Sequence, residues 1–233
     1  MTPERRHAIG RIATTAAILS VWTIVLGVAV AWLNYRGTAA EPYSPLNHWI
    51  SELGQVGVSG RASVFNLALV AAGMEFVVFM VGLAQVSPSR LRWVFGPVGA
   101  LAGIGGAFVG IYPMNHPDEH LLAATTYFTL AWIAVGLASI TFLRFPDARF
   151  PRWLAVGGVL PVAASIAFLV VLRLDAFTST RMASSGPIEG RPDVWLGPIL
   201  EWAVLVAIVG WTLLAGMTWR ATLKPKPLAE GAR

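Results

Sequence analysis

Val64–Val86 reads VFNLALVAAGMEFVVFMVGLAQV, and Glu75 is its one ionisable side chain. A helix needs roughly 20 apolar residues to cross about 30 Å of hydrocarbon, and this run supplies them. It lacks the period-2 alternation of a barrel strand, and in lipid the backbone must satisfy its own hydrogen bonds, so it reads as a spanning helix. Five further runs of the same kind lie outward from it, at 12–33, 93–112, 121–143, 154–172 and 194–218, separated by polar punctuation. Together the six occupy more than half of the 233 residues. The whole chain agrees: 56% hydrophobic, 10 Trp and only 12% charged, against about 25% charged in soluble proteins. Disorder, which needs low hydrophobicity and high charge, is excluded. No cysteine is present, so a disulfide framework, a thiolate metal site and a cysteine nucleophile are excluded too. The first run is followed by Gly37-Thr38-Ala39-Ala40, which resembles a signal-peptide cleavage site. Its apolar core is longer than the roughly 7–15 residues of a signal sequence, so it is read as a span. The expected fold is all-α: a polytopic integral membrane helix bundle of six transmembrane helices forming a single domain over 1–233, with a short interfacial helix near 45–53.

Charge placement sets the expected orientation. Arg5, Arg6, Arg11, Arg90, Arg92, Arg144, Arg149, Arg152, Arg220, Lys224, Lys226 and Arg233 fall on one side of the six spans. Arg36, Arg61, Arg173, Arg181 and Arg191 fall on the other, with most of the acids. The basic side is the cytoplasmic one. Both termini are therefore expected in the cytoplasm, residues 220–233 form a basic cytoplasmic tail, and the cell membrane is the expected location. The net charge of +5 then belongs to a rim that meets anionic headgroups. Membrane lipids are the expected partners, and nucleic acid is rejected.

The external connections, 34–63 and 173–193, are the long ones, and function favours elaborate loops. In Tyr43-Ser44-Pro45-Leu46-Asn47-His48-Trp49-Ile50-Ser51-Glu52-Leu53-Gly54, Pro45 suits a first helical residue with Ser44 as cap, and Gly54 a stop. His48 and Glu52, four apart, would share one face of that helix. The stretch fits first an amphipathic piece on the bilayer anchored by Trp49; the second reading is a binding or catalytic role for His48 and Glu52. Ser59 is a candidate cap for the second span, and Asn66 sits just inside it. Glu75, about 11 residues from either end at about 1.5 Å per residue, lies near the midplane. It is expected to be protonated and hydrogen-bonded between helices. Gly99, Gly103, Gly106 and Gly110 fall in a narrow stripe of small-xxx-small pairs, which brings helices close together and also suits a second copy of the chain or a membrane partner protein.

Two further places carry chemistry. In Tyr112-Pro113-Met114-Asn115-His116-Pro117-Asp118-Glu119-His120, Pro117 suits the first position of the fourth helix with His116 as cap, and Asp118 and Glu119 suit the positive end of its dipole. His116 and His120 are four apart, a spacing that fits either a structural turn or a metal or proton-handling site. Glu201 lies about two turns inside the sixth span. An ionisable group at that depth is costly and marks a functional site by default. His48, Glu52, Asn66, His116, His120 and Glu201 share a depth, and the expectation is one outward-opening pocket with Glu201 facing inward beneath the His116–His120 turn.

The Tyr43–Gly54 stretch, followed by Ser63-Val64-Phe65-Asn66, resembles the DUF998 family of prokaryotic six-span membrane proteins, which shows a similar "YS…N.IS-acidic-LG" loop and an "FN" opening its next helix. The Tyr112-Pro113 turn with His116 and His120 looks like that family's loop after the third span. The family carries no settled activity to transfer. It is distantly similar to the Frag1/DRAM/Sfk1 group, whose members act around lipid remodelling and distribution, which implies a lipid-related role by analogy.

Three functions are open at this point. One is lipid handling or lipid sensing, with Glu201, His116 and His120 receiving a headgroup. The second is an intramembrane metal-dependent hydrolase of a lipid ester or amide, with zinc held by His48, His116, His120 and Glu52 or Glu201 and an activated water attacking. The third is a non-catalytic scaffold or partner subunit. Transport is disfavoured, since the two halves show neither self-similarity nor broken spans.

Overall fold

The computed structural model describes residues 1–178 and 191–223. Lys224, Lys226 and Arg233 of the basic tail, with Arg181 and Glu189, lie outside the described residues. The elements run α1 (Pro3–Leu33), a short 3-10 turn (Ile50–Gly54), α2 (Ala62–Val86), α3 (Arg92–Ile111), α4 (Pro117–Arg144), α5 (Arg152–Gly157), α6 (Val159–Thr178) and α7 (Leu196–Ala221). With α5 and α6 taken as one span, six helices are long and apolar enough to cross a membrane. The protein is an all-α, multi-pass membrane bundle.

Each helix packs on its chain neighbour, and α7 returns to α1, so the six spans close into a ring. Isolated apolar surface gains little by associating in lipid, so close approach through small residues supplies the packing. The expected glycine stripe does this in two directions. A Cβ on Gly103 would stand 2.6 Å from the Gly73 carbonyl oxygen of α2, and one on Gly73 would stand 2.5 Å from the Gly103 carbonyl oxygen. The two backbones touch at that crossing. Gly99 lies over Met80 and Gly110 over Asn66, both also on α2. Gly106 instead faces Tyr127 of α4. Large apolar side chains such as Ile12, Leu67, Leu122 and Val206 point outward, as a lipid-facing surface requires.

Three boundaries differ from the sequence reading. The first helix begins at Pro3 rather than near residue 12. Thr2 accepts a hydrogen bond from Arg5 N, and Pro3 occupies the first helical position. Hydropathy cannot register such a charged, water-exposed start. The fifth span is divided: α5 stops at Gly157, and Gly158 donates back to Leu154 and Ala155. Pro161 has no N–H for the Gly157 carbonyl, which removes the bond that would carry the helix through. The fifth span is thus the broken one that the sequence reading did not see. Ser59 does not cap α2; that position is Arg61.

The helix expected near 45–53 is shorter and differently placed. Residues 45–47 form a turn, and the 3-10 turn runs from Ile50 to Gly54 with Trp49 as its cap residue. Ile50, Glu52 and Leu53 are all buried. This segment is therefore inserted among the helix ends instead of lying on the bilayer surface.

Candidate functional site

The start of α1 and the end of α7 meet at one end of the ring, where Gly10 lies against Trp219 and Leu223, and the site lies toward the other, distal end. There the loop between α1 and α2 is held on every side. Tyr35 and Ser59 form an isolated antiparallel bridge that closes its base. Asn115 of the α3–α4 turn both accepts from Val56 N (2.8 Å) and donates to Val56 O (3.0 Å). On the α7 side, Trp195 N donates to Leu46 O (2.8 Å) and Asn47 Nδ2 donates to Pro192 O (3.1 Å). Asn66 Nδ2 donates to Gly54 O at 2.9 Å. Asn66 thus pins the end of the 3-10 turn, and the space a side chain at Gly54 would need is filled by Asn66 and Phe65.

Glu52 is the centre of this roof. Its carboxylate accepts from Arg191 Nη1 and Nη2 (both 2.9 Å), from Tyr35 OH (3.1 Å) and from Trp49 N (2.9 Å). Arg191 also donates to Asn47 O at 2.6 Å. Bidentate, charge-assisted bonds are the strong ones, and four donors occupy both oxygens. Arg191 is held above its usual value: burial opposes this, but the hydrogen bonds and charge of Glu52 outweigh it. The Tyr35 phenol is pushed up, first by burial and then by the Glu52 charge. The Tyr43 phenol is pushed up by burial, with Glu201 adding to it.

His48 lies beneath the same roof, 2% exposed. Its Nδ1 contacts Asn47 Oδ1 at 2.7 Å. Asn47 Nδ2 is engaged with Pro192 O, so the Asn47 oxygen faces the ring, and Ser44 N also approaches Nδ1 at 3.4 Å. Nε2 has no hydrogen-bond partner and stands 3.8 Å from Glu41 Oε1. Burial holds the ring below the usual histidine value; Arg191 acts with it, and Glu52 and Glu41 act against it. Tyr35 and Tyr43 pack their rings against His48 at 5.5 and 5.3 Å, and Trp202 Nε1 donates to Tyr43 OH at 3.0 Å.

Below the roof is a cavity of about 110 Å³ inside the ring. Its walls are mostly apolar: Ile24, Phe65, Leu69, Phe76, Val109 and Leu205 are among them. Its distal end carries Ser51, His120 and Glu201, and its inner end Ser20 and Thr212. Glu201 lines the cavity, and its Oε2 accepts from Ile50 N at 2.7 Å, which fastens the roof to α7. His120 Nδ1 lies 2.9 Å from Tyr112 O. A carbonyl only accepts, so Nδ1 is the protonated nitrogen and Nε2 is left for the cavity. Toward the opposite end of the bundle, Trp211 packs its ring against those of Phe79 and Phe142.

The six candidate residues are thus divided. Glu201 and His120 share the cavity. His48 and Glu52 lie together in the roof, where Glu52 is consumed by its ion pair. Asn66 is a pin for the loop. His116 is exposed at the cap position of α4, with its ring edge toward Tyr112. The four-residue spacing does not bring the two imidazoles of that turn to one point, because one faces outward and the other inward. The donor set proposed for zinc, His48, His116, His120 and Glu201, does not fit a metal: among the described residues no group of three or more His, Asp or Glu is placed to hold one. Glu75 belongs to neither cavity nor roof. It sits at the seam of α1 and α2 beside Thr23, on a groove with Arg11, Leu19 and Met74.

Sequence reasoning passed over Arg191, Ser51 and Thr212. Arg191 stood in a loop as one of five scattered cations, and its partner is 139 residues away in the chain. Only the fold brings the two together. Ser51 stood inside the quoted motif, but nothing in the spacing pointed it inward.

The family model described as "Protein of unknown function (DUF998)" matches residues 23–218. No curated protein and no solved structure matches the chain.

Proposed function

The chain belongs to the DUF998 family, whose description assigns no function, and from the geometry we propose that it is a lipid-handling or lipid-sensing protein of the cell membrane. The cavity takes one apolar chain along its length, and the group at the end of that chain meets Ser51, His120 and Glu201. The observation that carries this reading is the cavity itself. Its walls are mostly apolar, with Ser51, His120 and Glu201 at the distal end and Ser20 and Thr212 at the inner end, and apolar walls with a few placed polar groups are the pattern of a ligand site. The basic asymmetry supports placing both termini in the cytoplasm, which puts the polar end of the cavity toward the outer leaflet. The hydrolase reading loses its support because its metal donors do not gather. The scaffold reading remains as the alternative outcome of the test.

Native mass spectrometry of protein purified in mild detergent is that test. One lipid adduct per chain is expected, and Leu205→Trp and Val109→Trp, which fill the cavity from opposite walls, should each remove it while the helical signal is retained. A wild type without adduct, or an adduct indifferent to both substitutions, would favour the scaffold.

A further inference from the structure

The polar groups of the cavity have a one-sided chemistry. Among the described residues, no Lys or Arg lines it. The cation of the roof, Arg191, spends its fork on Glu52 and the Asn47 carbonyl. Glu201 presents a carboxyl whose Oε2 already accepts from Ile50 N. The Nδ1 of His120 gives its proton to Tyr112 O, so Nε2 of the neutral ring is an acceptor. Ser20 Oγ donates to Ala17 O at 2.9 Å and has only lone pairs left. The hydroxyls of Ser51, Tyr127 and Thr212 can give or accept and set no preference.

A carboxylate or phosphate placed here would meet Glu201 and His120 Nε2 without a counter-ion, and an unpaired buried charge is costly. A head that donates hydrogen bonds would satisfy both. The geometry points to a ligand with a single long apolar chain and a hydrogen-bond-donating head that carries no negative charge, an alcohol or an amine. This rests on reading the cavity as a lipid-chain site.

Four probes with one common chain test it: oleyl alcohol, oleylamine, oleate and oleoyl lysophosphatidate, each titrated onto delipidated wild-type protein and followed by native mass spectrometry. The alcohol or the amine should bind at least tenfold more tightly than both anions; which of the two leads identifies the head. Glu201→Gln keeps an oxygen for Ile50 N but cannot ionise, and oleate should gain at least threefold in that variant. Oleate or lysophosphatidate binding as tightly as both donor-headed probes would overturn the assignment of the head. Binding of none of the four, with Leu205→Trp indistinguishable from wild type, would overturn the chain site itself.

Discussion

Arg191 holds the Glu52 carboxylate with a two-pronged contact, Nη1 on Oε1 and Nη2 on Oε2 at 2.9 Å each. The pair joins the start of the α7 segment to the loop between α1 and α2, and with Ile50 N on Glu201 it sets where the roof sits over the cavity. An acidic residue that looked like a candidate for chemistry is thereby explained as a structural anchor. The catalytic reading of Glu52 loses its footing because both its oxygens are taken by four donors from Arg191, Tyr35 and Trp49.

Truncating one partner of such a buried pair leaves the other charge uncompensated, a loss of about 3–5 kcal/mol. Glu52→Ala should therefore lower stability by that order in detergent unfolding. Replacing both, as Glu52→Met with Arg191→Met, should cost less than either single truncation, since no lone charge remains. Equal losses from the single and double variants would show that the pair does not act as a unit.

His48 gives the roof a pH dependence. Its pKa is lower in the folded protein than the usual value of about 6.5. Between the two values the unfolded chain binds more protons, so this contribution to stability is complete above about pH 6.5 and is lost as the pH falls toward the folded value, at a slope of up to about 1.4 kcal/mol per unit. Glu41, whose carboxyl is also held low against the push of burial by hydrogen bonds and by His48 and Arg191, adds its loss only at more acidic pH. Thermal unfolding from pH 7.5 to 5 should show the decline, and His48→Gln should flatten it.

At the α2–α3 crossing even one methyl is too much. Gly103→Ala places its Cβ against Gly73 O and Val77, and overpacking of this kind costs about 1–3 kcal/mol; Gly103→Leu should cost more. Gly210 is the control. A Cβ there meets nothing within 4 Å, so Gly210→Ala should hold or raise the thermal midpoint, by up to about 1 kcal/mol of helix propensity. Equal midpoints for the Gly103 and Gly210 variants would place the stripe against lipid.

Orientation is testable with single cysteines, since the native chain has none. Ala39 and Ala148 are both exposed, one in the distal loop and one between α4 and α5. In intact cells a membrane-impermeant maleimide should label Ala39→Cys and spare Ala148→Cys. The opposite pattern would invert the topology.

The six spans were legible because hydrocarbon sets a length and a composition that a run such as Val64–Val86 meets without reference to its neighbours. The placement of Glu201 toward the interior was legible for a related reason, the cost of a carboxyl in lipid. The division of the polar residues was not. His116 and His120 are one helical turn apart in sequence, yet the first turn of α4 points one outward and one inward, and only the packing of α4 beside α3 decides which. Glu52 could not be told from a catalytic acid while Arg191 was invisible as its partner. The loop of 34–61 likewise gave no periodicity from which its burial could be read, because side chains such as Tyr43, His48 and Leu53 reach the interior from turns.

The occupied cavity is the central claim, and photo-crosslinking addresses it most directly. Oleyl alcohol carrying a mid-chain diazirine, bound to wild-type protein and irradiated, should label Phe76, Val109 or Leu205 on the cavity wall, and excess unlabelled oleyl alcohol should compete the label away. Label confined to outward-facing residues such as Leu67, Leu122 and Met217, and insensitive to competitor, would contradict the account.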